Sequence, residues 1–325
     1  MILARTPMRI SLGGGGSDLP SYYERFGGSF ISAAIDKYVY IALNKIFTNE
    51  YLIRYSAQEH VTHASEIRHP IVHAALQLHP LPPIEVVSVA DIPAGTGLGS
   101  SGSFTVCLLR AIYAYKREMI TTSSLAEEAC HIEMNLLNEP VGKQDQYIAA
   151  YGGVTCFDVE RDGQVAVSPL ALGNTSIHDL EDHLVLFFTG YARSASALLA
   201  DQKQKSDAGD GEMVKNLQFV VELGQEIKKT LLAGDNRQFA RLMHEHWLRK
   251  RSRSAGMSNE RIDRWYDAAI ANGALGGKLV GAGGGGFLLF YADDVKGVRA
   301  AMTQEGLEEV RFKFDFDGAT VLFRE

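Results

Sequence analysis

The stretch Pro93-Ala94-Gly95-Thr96-Gly97-Leu98-Gly99-Ser100-Ser101-Gly102 decides how the rest of this 325-residue chain is read. On its N-terminal side, Ile84 to Val89 is rich in Val and Ile and predicts a strand. On its C-terminal side, Phe104, Leu108, Ile112 and Tyr115 recur at i, i+4, i+8 and i+11, which predicts one face of a helix over 100–117. A glycine-rich loop between a strand and a helix lets backbone approach a ligand closely. The unpaired N–H groups and the dipole at the helix start favour an anion. Ser100 and Ser101 add hydroxyls that reach a phosphate oxygen or a magnesium ion. The loop has neither the lysine of a Walker A motif nor the spacing of a dinucleotide fingerprint. Taken by itself it also reads as an ordinary glycine-rich turn.

Outward from this loop, Ile35 to Phe47 predicts a further strand and residues 63–79 a helix. A second helix is expected to open at Ser124, with Glu127 three residues on as a capping box, and to run to about Asn138 before Pro140. Gln144 to Ala150 reads as a shorter helix closed by Gly152-Gly153. A second unit begins near residue 181 with a strand at His183 to Thr189, followed by a polar loop at 207–211 and helices over 213–233, 235–250 and 258–273. The tail reads strand (Phe287 to Tyr291), helix (295–305), strand (Val310 to Phe316), turn (Asp317-Gly318) and strand (Ala319 to Phe323). This order resembles a ferredoxin-like layer. Two closely packed units, 1–180 and 181–325, are therefore expected.

Composition narrows the class. A hydrophobic share of 46% supports two cores, and a net charge of −7 does not suit non-specific nucleic-acid binding. Cys107, Cys130 and Cys156 are sparse, odd in number and without metal-type spacing, as expected of reduced thiols in the cytoplasm. No leader pattern and no long apolar run is evident, so neither export nor a membrane partner is expected.

Two further glycine clusters flank the central loop. Gly13 to Gly16 follows the first strand and leads into Ser17-Asp18, and Gly276-Gly277-Lys278-Leu279-Val280-Gly281-Ala282-Gly283-Gly284-Gly285-Gly286 lies between a helix and a strand. Four consecutive glycines lose much entropy on ordering, a cost tolerated where backbone passes close to something. Alone, each cluster reads as a loop. Together, the stretch from Arg5 to Asp18, the loop at 93–102 and the cluster at 277–286 resemble the three ordered motifs of the galactokinase, homoserine kinase, mevalonate kinase and phosphomevalonate kinase (GHMP) superfamily.

The resemblance implies an α/β (α+β) two-domain fold. Its N-terminal α+β domain would be like that of ribosomal-protein-type folds and its C-terminal domain ferredoxin-like, with ATP and magnesium between them. Gly142-Lys143-Gln144-Asp145-Gln146-Tyr147 and Thr189-Gly190-Tyr191-Ala192-Arg193-Ser194-Ala195-Ser196 look most like the branch of D-glycero-D-manno-heptose 7-phosphate kinases. Gly15 and Gly16 stand where galactokinases carry Glu and His, which argues against galactose. By motif, Asp145 matches the carboxylate that orients the acceptor hydroxyl, and Arg9 a basic group near the reacting phosphoryl. Ser101 and Glu133 match the magnesium ligands. Pro93, Gly95, Gly97, Leu98, Gly99, Ser100, Ser101 and Gly102 match the nucleotide loop. Ser17, Asp18, Arg193, Lys250, Gly283 and Gly284 are the candidates for the acceptor, with Arg193 and the basic run 249–253 for a remote phosphate.

Bland alternatives stand beside these roles: a surface carboxylate at a helix start for Asp145, a solvated helix residue for Glu133, a structural ion pair for Arg9. His244 and His246, at i and i+2, do not share a helix face and are read as surface or core residues. The implied product is the 1,7-bisphosphate on the way to nucleotide-activated heptose. A fucose-type or mevalonate-type kinase and an inactive sensor on the same fold are the alternatives, and the assembly is left open between monomer and homodimer.

Overall fold

The structure is a computed structural model, and it describes residues 1–190, 200, 204, 211–251, 256–281 and 283–325. The first sheet is organised by β2 (Gly28–Lys45), a strand long enough to pair with three others. β1 (Ile2–Gly13) runs antiparallel along one edge, while the other edge is shared by β6 (Val154–Val159) and β5 (Ile84–Ala90). β3 (Tyr51–Arg54) pairs with β5 and β4 (Gln58–Val61), and β7 (Val165–Pro169) pairs with β6. Short helix α1 (Pro20–Phe26) sits in the β1–β2 connection. Helices α2 (Pro70–Leu78), α3 (Ser100–Lys116), α4 (Thr122–Cys130) and α5 (Gln144–Tyr151) follow, with α3 and α5 packed on β1 and β2.

After α6 (Asn174–His183), a second sheet forms in the order β11 (Glu308–Glu309), β8 (Leu184–Phe188), β10 (Phe287–Ala292), β9 (Ala274–Val280). Helices α7 (Gly211–Leu232), α8 (Asn236–Arg251) and α9 (Glu260–Ala271) lie between β8 and β9 in the chain. Helix α10 (Val295–Gln304) links β10 to β11. All neighbours are antiparallel, and the order is that of the ferredoxin-like split βαβ unit.

The unbroken apolar run Phe287-Leu288-Leu289-Phe290-Tyr291 is explained by burial on both faces. Phe287, Leu289 and Tyr291 join the core of the first unit. Leu288 and Phe290 pack instead with Trp247, Trp265 and Tyr266 of α8 and α9. The same alternation in β8 sends Leu184 and Leu186 one way, Val185 and Phe187 the other. One continuous core therefore joins the two units and fixes the walls of the cleft between them.

Several expected elements differ. The start of the glycine cluster at 276–286, which reads as a loop, belongs to strand β9, because its backbone pairs with β10 from Ala274 to Val280. Helix α4 begins at Thr122, because the Thr121 side chain caps the Ser124 N–H at 3.1 Å; Ser124 is thus inside the first turn and not its cap. The helix then widens into a π-helical turn, His131–Leu136. At the tail, Val310 to Phe316 is not a strand of the second sheet. Val310 N–H reaches Leu186 O at 2.8 Å, but Phe314 forms only a bridge to Ile35 of β2. The last strand, β12 (Thr320–Arg324), pairs with β1, so the chain returns to the first sheet after the turn at Gly318. The three cysteines are buried, separate free thiols.

Candidate active site

Helix α3 starts from Gly99, which takes the left-handed conformation (φ 76°) and supplies no side-chain cap. Its first N–H groups therefore point towards the cleft beside the hydroxyls of Ser100 and Ser101, both in the cleft wall. The loop is clamped by the second unit. Gly97 (φ 86°) passes so close to β9 that an added Cβ would lie 2.8 Å from Val280 O, and one on Gly281 would lie 2.6 Å from Gly97 Cα. The glycine cluster after β9 is thus a surface against which the α3 loop seats. Gly95, Gly97, Gly99, Gly283 and Gly285 line the cleft. Pro93, Leu98 and Gly102 build the loop from behind: Pro93 O accepts from Thr96 Oγ1 (3.0 Å) and Leu98 O from Arg9 N–H (2.9 Å). Gly102 admits the backbone of α5, since a Cβ there would sit 2.7 Å from Asp145 Cβ. Gly284 is spent on Met257 O, to which its N–H donates at 3.1 Å.

Arg9 lies on β1 with its guanidinium under this loop. It donates Nε–H to Asp145 Oδ1 (2.7 Å), places a second nitrogen 2.6 Å from the same oxygen, and donates to Gly97 O (2.6 Å). One buried cation thus fixes both the Gly97 loop and the Asp145 carboxylate. Asp145 keeps a partly exposed side chain in the cleft. Its helix is pinned by neighbours in sequence: Gln144 Nε2 donates to Ser11 Oγ (3.0 Å) and Ser32 Oγ (2.8 Å). Lys143 is a clamp and not a cleft residue, its ammonium held by both Glu127 oxygens (2.6 and 2.9 Å) and Gly163 O (2.7 Å).

Glu133 sits in the π-helical turn, a distortion often associated with functional positions. It accepts hydrogen bonds from Ser101 Oγ and from Gln146 Nε2 (2.5 Å). Burial pushes its pKa up to about 7 from the usual 4.5; the Asp145 charge adds to this, and the two hydrogen bonds partly oppose it. Asp18 is also buried in the cleft wall. Its carboxylate accepts from Gly16 N–H (3.0 Å) and Gln144 N–H (3.1 Å). Burial raises its pKa above the ordinary value, with the Gln144 N–H opposing.

Ser17 does not reach the cleft. It is fully buried, and its hydroxyl donates to Gly14 O (2.8 Å) or Ser29 O (2.9 Å), so it holds the first glycine loop in place. Lys250 does line the cleft, donating to the carbonyls of Leu279 (3.4 Å) and Gly281. Arg193 lies outside the described residues, as does Arg253 of the basic run. Among the cleft residues that the sequence gives no role are Lys278, in the middle of β9, and His246, on the face of α8 opposite His244. A lysine inside an otherwise apolar and glycine strand was the available signal.

The cleft holds about 380 Å³ and joins an anion-binding helix start, an oriented carboxylate, a buried arginine and an oxygen pair suited to a hard cation. Those are the parts of a phosphotransferase that binds a nucleotide between two units. The chain is a member of the GHMP kinase family: the models for the GHMP kinase N-terminal domain and C-terminal domain match residues 65–153 and 227–308, together more than half of it.

Among individual proteins, it is 29% identical over 309 residues to a D-glycero-α-D-manno-heptose 7-phosphate kinase of Campylobacter jejuni, covering 91% of this chain and 90% of that one. It is 26% identical over 340 residues to an L-fucokinase/L-fucose-1-P guanylyltransferase of Bacteroides fragilis, covering 90% of this chain and 35% of the relative. The crystal structure of a D-glycero-D-manno-heptose 1-phosphate kinase from Bacteroides thetaiotaomicron superposes over the full length of both chains with a TM-score of 0.81 at 24% identity. No helix of the described residues is long and apolar enough to cross a membrane.

Proposed function

We propose that this kinase transfers the γ-phosphate of ATP to the anomeric hydroxyl of a sugar already phosphorylated at its far end, D-glycero-D-manno-heptose 7-phosphate, giving the 1,7-bisphosphate. The observation that carries the reading is the shared anchoring of the Gly97 loop and Asp145 by Arg9. It ties the phosphate-side loop to the group facing the acceptor, and loose phosphoryl transfer depends on that alignment. The likeness to the Campylobacter jejuni kinase over nine-tenths of both chains supports the choice of acceptor.

In this reading the α3 start and Ser100 hold the β- and γ-phosphates, while Pro70, Ile71, Leu137 and Val141 offer an apolar wall for the base. Asp145 orients the attacking hydroxyl and accepts its proton. Arg9 lies against that pair and offsets charge developing on the transferred group. Asp18 accepts hydrogen bonds from sugar hydroxyls. Ser101 and Glu133 are the residues that would hold magnesium. Their oxygen donors suit it, and among the described residues no set of three His, Cys, Asp or Glu could form an all-protein cage. An ion held by two side chains and by substrate phosphates fits that donor set, and it supplies charge neutralisation of the phosphates. The protein acts as a cytoplasmic enzyme on small molecules, with no nucleic-acid or membrane partner.

The test is an acceptor panel with the purified protein and ATP: D-glycero-D-manno-heptose 7-phosphate, the free heptose, L-fucose, D-galactose and mevalonate. ADP release is followed and the product position read by phosphorus NMR. Preferred turnover of the heptose 7-phosphate with a new anomeric phosphate is expected. Preference for fucose or mevalonate would replace the acceptor assignment and leave the kinase standing.

A further inference from the structure

Of the first glycine loop, Gly13 to Gly16, the fold itself requires three members. An added Cβ on Gly13 would press on Ile227 Cδ1 and Gly224 Cα of α7, at 3.1 and 3.3 Å. Gly14 has a φ of 74°, and its Cβ would fall 2.0 Å from Ser29 O. Gly16 has a φ of 99°, which disfavours any side chain. Gly15 is the exception. Its φ is not positive, and an added Cβ would meet Ser11 Oγ at 3.2 Å and Gln144 Oε1 at 3.8 Å. Beyond its chain neighbours, no other heavy atom of the described residues would lie within 4 Å.

A glycine that neither backbone geometry nor packing requires is costly, because it adds freedom to the unfolded chain that alanine would remove. The position of the missing side chain accounts for it. Ser11 and Gln144, the two neighbours it would touch, line the cleft together with Gly15. Gln144 in turn donates its N–H to Asp18 at 3.1 Å and precedes Asp145 in the chain. The space left open at Gly15 is therefore bordered by the groups assigned to the acceptor. Its borders are a hydroxyl, an amide oxygen and a carboxylate, all of which can accept from the hydroxyls of a polyol.

We infer that Gly15 is a specificity-determining position: having no side chain, it leaves the room in which the body of a polyhydroxylated acceptor sits beside Asp18 and Asp145. The inference rests on the proposed acceptor being a sugar, and it names the position that limits the acceptor's size. A side chain there competes with the acceptor for volume. It leaves untouched the nucleotide loop at 93–102, none of whose atoms lies within 4 Å of the added Cβ.

Gly15→Ala and Gly15→Leu form a series in side-chain volume, tested in the full chain with ATP and D-glycero-D-manno-heptose 7-phosphate. The kcat/KM for the sugar should fall about 10-fold with alanine and about 100-fold with leucine, the losses that a pocket shows for misfitted methylenes. Affinity for ADP, measured by calorimetry, should keep its wild-type value. Melting temperatures separate this role from a structural one. Gly15→Ala should melt within about 2 °C of wild type or above it, since its backbone is open to alanine. Should Gly15→Leu fail to fold, the alanine variant carries the test alone. Unchanged acceptor kinetics overturn the inference, and so does an alanine variant that loses melting temperature or ADP affinity along with turnover. A wild-type enzyme that accepts no sugar of the panel would sink the acceptor reading and this inference together. Turnover of the heptose phosphate that is indifferent to residue 15 sinks the inference alone.

Discussion

Replacing Glu133 by Gln should stabilise the free protein at alkaline pH while damaging its activity. The carboxyl is 1% exposed, and burial raises its pKa from 4.5 to about 7. The folded state therefore binds this proton more tightly than the unfolded chain does. Its contribution to stability is complete below about pH 4.5 and is lost as the pH rises through about 7. The difference corresponds to about 3 kcal/mol between pH 4 and pH 8. Glutamine never ionises. Its amide oxygen can accept from Gln146 and its NH₂ can donate to Ser101 Oγ, so the local hydrogen bonds survive the change.

Melts of wild type and Glu133→Gln without metal or nucleotide should nearly coincide at pH 5. They should diverge at pH 8, with the variant melting higher by about 4 °C if the chain unfolds as one unit. The same variant should need more magnesium for half-maximal activity and turn over more slowly, a functional group held at the expense of stability. A melting difference that is constant between pH 5 and pH 8, or a variant less stable at pH 8, would refute the buried-acid reasoning.

Asp145→Asn should lower kcat by about 10²- to 10⁴-fold with KM for ATP unchanged, because the group orients the acceptor and not the nucleotide; turnover near wild type would remove it from the chemistry. Gly97→Ala combines a strained φ of 86° with a Cβ placed 2.8 Å from Val280 O, so urea melts should show a loss of about 1–3 kcal/mol and kinetics a raised KM for ATP. Equal stability and equal KM would show that the loop does not seat against β9.

Helix α3 was legible because its signals are local: glycines before it, serines at its start and apolar residues at helical spacing within it. Of the second sheet, β8 and β10 were legible as apolar runs, but β9 was not, because its glycines read as loop and only its pairing with β10 makes it a strand. Nor was the tail. Val310, Phe312 and Phe314 alternate as a strand does, but alternation cannot say which sheet accepts the hydrogen bonds. The chain divides them between Leu186 of β8 and Ile35 of β2. Thr121 was passed over as a cap because Ser124 and Glu127 formed a plausible capping pair of their own, and only the backbone path selects between the two.

By itself, the sequence determined three glycine-rich segments in order, the oxygen and carboxylate groups beside them, and the strand and helix periods that carry them. All of these are properties of neighbours along the chain. Only tertiary structure decided which groups meet. Arg9 reaches Asp145 across 136 positions, and Ser101 reaches Glu133 across 32. Ser17 turns inward to hold its loop while Asp18 stays at the cleft. His246, set aside from its spacing to His244, finds Lys278 because Gly276 lets a helix rest on a strand. Such pairings depend on how closely two backbones approach and on what burial does to a charge, and neither quantity exists until the core has closed.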